Sequence, residues 1–441
     1  MTRIYPAHAY SAAPRAGCYW PQTVEMMHPP QARGEIRADV AVIGAGFTGL
    51  SAALHLAEAG VDVVVLDAES PGWGASGRNG GFCCLGGSAA PAEALRRSYG
   101  EAARREFCRA EIAAVDLARG LIARHGMEVD AHSEGETLMA HTRAAAQGFE
   151  ARARQIEADY DVTPQVIGEG DLAAHGMTGP FYGAMTTPIG MALNPAKYVT
   201  GLAQAAWDAG VRIFGQSTVR RIEPEAGGYT LATEDAQIRA RRIVVATNGY
   251  SSDDLPEWLR GRYLPTQSNV IVTREMTEDE LAAQGWTSRQ MCYDDRFFLH
   301  YFRLMPNGRM LFGMRAGLRC SPGGDARMGR VIKGHFDRMF PAWAGVEVAH
   351  YWNGLLSIAR DRTPYTGPIP GMTNAFCSIS YHGNGVAMGS YAGALLADQI
   401  LGRSGHLHPE IMKRPPERMP LGPYRRKLMW PLYGWAALRG D

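Results

Sequence analysis

The sequence predicts an α/β fold with an added antiparallel sheet, α+β in the broad sense. Three observations carry that expectation. Near residue 40 an apolar run passes through a glycine-rich turn into a helical pattern, then into a second apolar run. Strand, helix and strand in that order mark a parallel sheet. From about Pro256 to Val348 the pattern changes to short β-branched and aromatic runs cut by turn residues, which reads as an antiparallel sheet. The 441 residues, 52 of them glycine, allow core for two or more domains joined by many turns.

The first 35 or so residues hold Tyr5, Pro6, Tyr10, Tyr19, Trp20 and Pro21 without periodicity. They are expected to form an extended arm packed on the surface. Val40 to Ile43 then reads as a buried parallel strand. Gly44, Gly46 and Gly49 follow as G-x-G-x-x-G, and a helix carries Leu50, Leu54 and Leu56 on one side before Gly60 ends it. A second apolar strand, Val61 to Leu66, closes on Asp67. Alone, G-x-G-x-x-G is weak; between strand and helix, with an acid about twenty residues on, it has the context of a Rossmann-like dinucleotide site. Gly44 allows the turn, Gly46 lets the backbone approach a pyrophosphate, and Gly49 lets helix and strand pack closely. Phe47 and Thr48 start the helix whose free N–H groups and positive dipole end face the phosphates. Asp67, with Ala68 beside it, is expected to accept from both ribose hydroxyls and to repel a 2′-phosphate, which disfavours NADP.

Residues 72–81, Gly-Trp-Gly-Ala-Ser-Gly-Arg-Asn-Gly-Gly, form a second small-residue loop directly after the second strand. A nicotinamide enzyme has no need of it. A buried FAD does, because the chain must cross the pyrophosphate and then the flavin ring. Ser76 is expected to donate to a phosphate oxygen, and Gly80 and Gly81 to let the backbone pass the isoalloxazine. Gly74, Ala75, Arg78 and Asn79 belong to the same expected contact.

GWGASGRNGG, placed after this fingerprint, resembles the D-amino-acid-oxidase-like (DAO) superfamily of FAD-dependent oxidoreductases. Within it the chain is most similar to the gamma-glutamylputrescine oxidoreductase branch. ALHLAEAGVDVVVLD, VVATNGYSSDDL, YFRLMPNGRMLFG and SYHGNGVAMGSYAGALLADQILG have counterparts there in the same order, over nearly the whole length. The resemblance implies a DAO/glutathione-reductase-like architecture, but no segment specifies the substrate.

Pro91 to Arg154 reads as helices. Asn194-Pro195 opens a helix that runs to Gly210, and VRIFGQSTVRRIE reads as a strand pair. The resemblance implies that Val219 makes backbone hydrogen bonds to the adenine. The strand Ile243 to Thr247 ends at Asn248-Gly249, beneath the dinucleotide. In the antiparallel region a hairpin is expected at Asn307-Gly308 and a turn at Pro322-Gly323-Gly324. The family relation implies that this sheet roofs the flavin and supplies the substrate pocket. Tyr301 and Arg303 lie two apart on one strand and share a face. They match the branch's YYR pattern and are expected to form an aromatic wall and a guanidinium clamp for a substrate carboxylate. For Arg315, on the next strand, a pocket role and a solvated outer face both stand open.

Toward the C-terminus, Trp352 and Gly354 match the family's W-x-G, with Trp352 expected as a pocket residue beside Tyr301, and Asp361, Pro364 and Gly367 resemble the region before its last flavin strand. Tyr381-His382-Gly383-Asn384-Gly385-Val386 departs from the branch's usual Y-S-G-H-G-V at 382 and 384. Its glycines are kept, so Gly383, Gly385 and Val386 are expected to aim N–H groups at the flavin N1/C2=O edge, with Asn384 between them. His382 stands between a catalytic pocket group and a structural histidine. The proline-rich, basic and aromatic tail is expected to pack across the enzyme body, with a membrane-surface anchor as the alternative. The expected organisation is an arm (1–35), a discontinuous FAD-binding domain (36–100, 188–255 and 350–405), a substrate domain (101–187 and 256–349) and a tail (406–441).

Forty-five Lys and Arg against 44 Asp and Glu give a net charge near +1, which argues against a nucleic-acid binder. No apolar run approaches the roughly 18 residues of a membrane span, and no signal-peptide pattern stands at the N-terminus. Seven scattered cysteines without a C-x-x-C pair suit reduced thiols in a cytoplasmic protein and no metal. The function expected is an FAD-dependent oxidase of a primary or secondary amine. A hydride equivalent passes to flavin N5, the imine hydrolyses, and O₂ reoxidises the flavin to give hydrogen peroxide. The alternatives are an FAD dehydrogenase of an amine or hydroxy acid that passes electrons to a carrier or quinone, and a flavoprotein subunit of a larger oxidase. FAD is expected to be non-covalent, with Cys83 and Cys84 left open as attachment points. Monomer and homodimer stand open.

Overall fold

Parallel strands covered on both faces need continuous apolar sequence, and the first sheet is built from such runs. The computed structural model describes residues 1–438, with side chains to Trp435. Among them, two eight-stranded sheets carry the fold. In the first, Ala375–Ile379, Ala236–Val245, Gly34–Ile43, Val63–Leu66 and Arg212–Phe214 lie side by side and parallel. Ile43 pairs with both Leu66 and Val245, so the glycine turn leaves the centre of the sheet. Tyr365–Pro368 adds an antiparallel edge. The helices Phe47–Glu58, Pro195–Asp208 and Ala387–Leu401 pack on this sheet and on one another. Ala387–Leu401 is buried along most of its length, as a helix without a polar face must be.

The second sheet runs in the order Val348–Ile358, Leu264–Thr273, Met310–Met314, His300–Leu304, Met291–Asp294, Glu136–Met139, Gly183–Thr187 and Gln165–Gly168. Its outer face buries Ile271, Phe302 and Phe312 under Ile332, Phe336 and Met339 of the helix Pro322–Met339. Each such side chain contributes about 1.5–3 kcal/mol. The inner face is marked by cross-strand pairing: Tyr301 stands opposite both Tyr293 and Gly313, and Tyr293 opposite Leu138. That face looks toward the ends of the parallel strands.

Several sequence expectations are corrected. The segment read as helices from 91 to 154 contains the strand Glu136–Met139, held by a Thr137–Thr186 hydroxyl contact of 2.8 Å. Pro322-Gly323-Gly324 is no turn but the start of a helix, with the Ser321 hydroxyl accepting from Gly324 N–H. Arg212–Phe214 and Arg221–Glu225 do not pair with each other; the first joins Val63–Leu66, the second Gly228–Ala232. Val348–Ile358, assigned in part to the nucleotide domain, is an edge of the second sheet, and the helix Glu101–Arg124 packs on Ala387–Leu401. The N-terminal arm is a series of short 3-10 turns rather than an extended strip, and it buries Tyr5, Tyr10 and Trp20. In the tail, buried Arg425 pairs with Asp253, while Tyr424, Trp430, Leu432 and Trp435 stay exposed. Among the described residues no helix is long and apolar enough to cross a membrane.

Candidate active site

Between the ends of the parallel strands and the inner face of the second sheet lies a cavity of about 770 Å³. Gly44, Gly46, Phe47, Thr48, Asp67 and Ala68 line it together with Val219 and with Thr247, which lies against Gly44. Gly74, Ala75, Ser76, Arg78, Asn79 and Gly80 line it as well, Ser76 beside Phe47 and Gly80 against Tyr301. Gly354 and the run Gly383, Asn384, Gly385 and Val386 line the side nearer the second sheet. Gly49 and Gly81 sit one layer behind: a Cβ at either would lie 1.9 Å from the carbonyl oxygen of Gly44 or of Leu193.

The dinucleotide end is shaped by backbone. Gly44 has φ +106°, and a Cβ there would lie 2.8 Å from Ala246 O, so strand and loop meet without room for a side chain. Asp67 accepts from Ala45 N–H at 2.7 Å and from Glu69 N–H at 2.9 Å. Burial pushes its carboxyl pKa up, and these two N–H groups oppose the rise. Ser76 Oγ accepts from Phe47 N–H at 3.0 Å, which leaves its hydroxyl proton for another acceptor. Arg78 staples the loop: its guanidinium donates to the carbonyls of Trp73, Gly74 and Asn353 and lies over the Trp73 and Tyr250 rings.

These residues fit FAD. The two ends of the cavity match the two ends of a dinucleotide, with a helix N-terminus and a carboxylate in its wall at one and a glycine-walled slot at the other. At Gly385 a Cβ would meet nothing nearer than 3.4 Å, so any side chain there would stand in the slot.

Three expected pocket groups are corrected. Arg303 shares a strand face with Tyr301 but points behind the cavity. It is 1% exposed and donates to Gly80 O, Leu193 O and His132 Nε2. Burial holds the His132 pKa down near 4, so its ring is neutral and Nε2 is a lone-pair acceptor. Arg303 therefore braces the 80–81 turn, because only there does its fork find carbonyls. Trp352 is buried and donates Nε1–H to Arg78 O at 2.7 Å, packed edge-on to Trp20. His382 is buried behind the loop; Ala359 N–H donates to its Nε2 at 3.1 Å, and its Nδ1 lies 2.8 Å from Gly87 O. Burial lowers its pKa to about 4, so it is a neutral bridge between two backbones. Asn384, the other departure from the family pattern, donates to Leu85 O at 3.2 Å.

Tyr301 does line the cavity, its hydroxyl 2.9 Å from Ser268 Oγ and its ring against Gly80 and Gly313. Arg315 lines it too, so the solvated-face alternative falls. Its guanidinium lies over Gly383, where a Cβ would come within 2.4 Å of Nη2, and among the described residues no carboxylate pairs with it. The cavity wall also holds Glu136, Tyr293 and Leu299, which sequence reasoning missed, and Cys84, one of the two cysteines left open as attachment points. A lone acid at the head of the apolar run Glu136-Thr-Leu-Met-Ala was the available signal, hidden by the helical reading of that segment.

Residues 39–399 match the family model described as FAD dependent oxidoreductase, DAO. The chain is 28% identical over 368 residues to the gamma-glutamylputrescine oxidoreductase of Escherichia coli, covering 83% of this chain and 84% of that one. It is 30% identical over 417 residues to the probable oxidoreductase OrdL of Rhizobium meliloti, covering 92% and 93%. Among solved structures, glycine oxidase from Geobacillus kaustophilus superposes with a TM-score of 0.70 at 18% identity, over 86% of this chain and 98% of that one. With a family match that spans most of its length, the chain belongs to the DAO family of FAD-dependent oxidoreductases.

Proposed function

We propose that this protein is an oxidase of a primary or secondary amine that also carries a carboxylate, of the gamma-glutamyl-polyamine or N-substituted amino acid type. The observation that carries the reading is Arg315: a cation without a carboxylate partner, facing the cavity beside the 383–386 loop. A part-buried charge left unpaired is costly, and a substrate carboxylate would supply the missing partner. The gamma-glutamylputrescine oxidoreductase of Escherichia coli and the glycine oxidase of Geobacillus kaustophilus are both named for nitrogen compounds that carry a carboxylate, which supports the reading.

In this reading Gly44, Gly46, Phe47 and Ser76 hold the pyrophosphate, and Asp67 and Ala68 the adenosine ribose. Val219 and Thr247 flank the adenine half. Gly80, Gly354, Gly383, Gly385 and Val386 border the flavin, and loop N–H groups stabilise negative charge at its edge. FAD held there without a covalent bond would supply the acceptor for a hydride equivalent from the C–H beside the amine nitrogen; the imine product would hydrolyse in water, and O₂ would serve as the final acceptor, giving hydrogen peroxide. Arg315 orients the carboxylate. Tyr301, with Ser268 fixing its hydroxyl, forms an aromatic wall that excludes water.

The test is an anaerobic flavin-bleaching screen against gamma-glutamyl amines, N-methyl amino acids, D-amino acids, polyamines and bare monoamines. Carboxylated amines should bleach fastest, and air should then yield peroxide. Bleaching by hydroxy acids alone would overturn the reading, as would a preference for bare monoamines.

A further inference from the structure

A second unpaired charge faces the same cavity. Glu136 heads the strand Glu136–Met139, opposite Met291 on one side and Thr187 on the other. Its carboxyl lies in the cavity wall beside the Cys84 thiol. The other ionisable groups around it come from every neighbouring element. Tyr293 stands on the adjacent strand, Glu111 on the helix Glu101–Arg124 and Arg152 on the helix Phe149–Tyr160. Arg315 lies beyond Tyr293, which feels both charges. None of the cations forms an ion pair with Glu136 among the described residues. The Glu111 carboxyl is already engaged, accepting from Tyr160 OH at 2.7 Å. Arg315 follows the strand Met310–Met314, so three strand spacings, roughly 14 Å, separate it laterally from Glu136. No ion pair joins the two among the described residues, and Tyr293 and Cys84 each lie within reach of both.

We propose that Glu136 is a catalytic residue that receives the substrate's amine: its carboxylate accepts a hydrogen bond from the ammonium and takes one proton, leaving the neutral amine from which oxidation proceeds. This rests on the amine-oxidase reading above. The step balances as R–NH₃⁺ plus Glu–COO⁻ giving R–NH₂ plus Glu–COOH, with no other reactant. Burial moves the Glu136 pKa up to about 7, so near neutral pH the group can both hold and release a proton. The Cys84 thiol beside it is pushed well above its usual range by burial and stays protonated, which leaves Glu136 the base of the pair.

The experiment compares wild type, Glu136→Gln and Glu136→Asp holoenzymes with the best amine of the bleaching screen. In wild type, kcat/KM should rise with pH through about 7. Glu136→Gln should lose about 10²–10⁴-fold in kcat/KM and lose that limb of the profile. Glu136→Asp should keep a limb and recover part of the rate. Binding read from flavin absorbance separates recognition from chemistry. A carboxylate inhibitor without an amine should bind Glu136→Gln within about twofold of wild type, and a non-oxidisable ammonium analogue at least tenfold more weakly. An unchanged pH limb in Glu136→Gln overturns the proposal, and so does equal weakening of both ligands. Should Glu136→Gln fail to take up FAD, the aspartate variant decides by whether its limb moves. A wild type that no amine bleaches overturns the amine-oxidase reading itself, whereas bleaching of Glu136→Gln at close to the wild-type rate overturns the role of Glu136 alone.

Discussion

Asp67 lies at the end of an apolar strand with its carboxylate already fixed by two backbone N–H groups, so its orientation toward the cavity costs little further entropy. Asp67→Ala should weaken FAD retention by about 1.5–3 kcal/mol, the worth of a charge-assisted hydrogen bond, read as a lower FAD content and a raised Kd. Retention equal to wild type would remove Asp67 from the site. Arg303 and Arg315 separate by the same logic of partners. Arg303 already spends its donors on Gly80, Leu193 and His132, whereas Arg315 has none to lose. Arg315→Lys should raise the KM of an acidic amine about tenfold or more relative to an uncharged analogue, because lysine cannot form the two parallel bonds. Arg303→Lys should lower thermal stability and leave that KM ratio unchanged. The reverse pattern would restore Arg303 as the clamp. Alternation on a strand put Tyr301 and Arg303 on one face correctly, but it could not say which of the two would meet backbone carbonyls before reaching open space.

The 381–386 loop shows what an element decides. Its glycines were legible as a close approach, and the substitutions at 382 and 384 were legible as departures. Only packing revealed that His382 and Asn384 tie the loop to Gly87, Ala359 and Leu85. Gly385→Leu should fold, because its Cβ has room, and its side chain should fill the slot. The expected result is a shifted flavin spectrum or lost FAD, with turnover reduced on the order of 10²–10³-fold, as when one donor to a developing anion is removed. A normal spectrum and rate would place the loop away from the flavin. The strand Glu136–Met139 is the opposite case. Four residues between helical segments carry too short a pattern to separate strand from helix, and pairing with Met291–Asp294 and Gly183–Thr187 decided it.

For the molecule as a whole, buried acids set a pH dependence of stability. Glu111 sits inside the helix Glu101–Arg124 with Tyr160 OH as its partner, and burial raises its pKa to about 8. The native state thus holds a proton that the unfolded chain releases at a lower pH. That contribution is complete below the ordinary carboxyl range and is lost as pH rises toward 8. Between pH 6.5 and 8 the holoenzyme should lose about 2 kcal/mol from Glu111, measurable as a falling Tm. Glu111→Gln, which keeps an acceptor for Tyr160, should flatten that slope. A wild-type Tm constant or rising across this interval would refute the assignment.

What the sequence determined by itself was the dinucleotide half and the cofactor. Its signals are local: a strand, three glycines, a helix and an acid within thirty residues, then a second glycine loop, each fixed by backbone sterics that hold wherever they occur. What only the tertiary structure decided was the identity of the pocket's charges. Glu136 and Arg315 are 179 positions apart in the chain and face one cavity because strands distant in sequence enter one sheet. Whether a long polar side chain is spent on a carbonyl or left free depends on which backbone packs against it. That is a contact of high sequence separation, which no periodicity encodes.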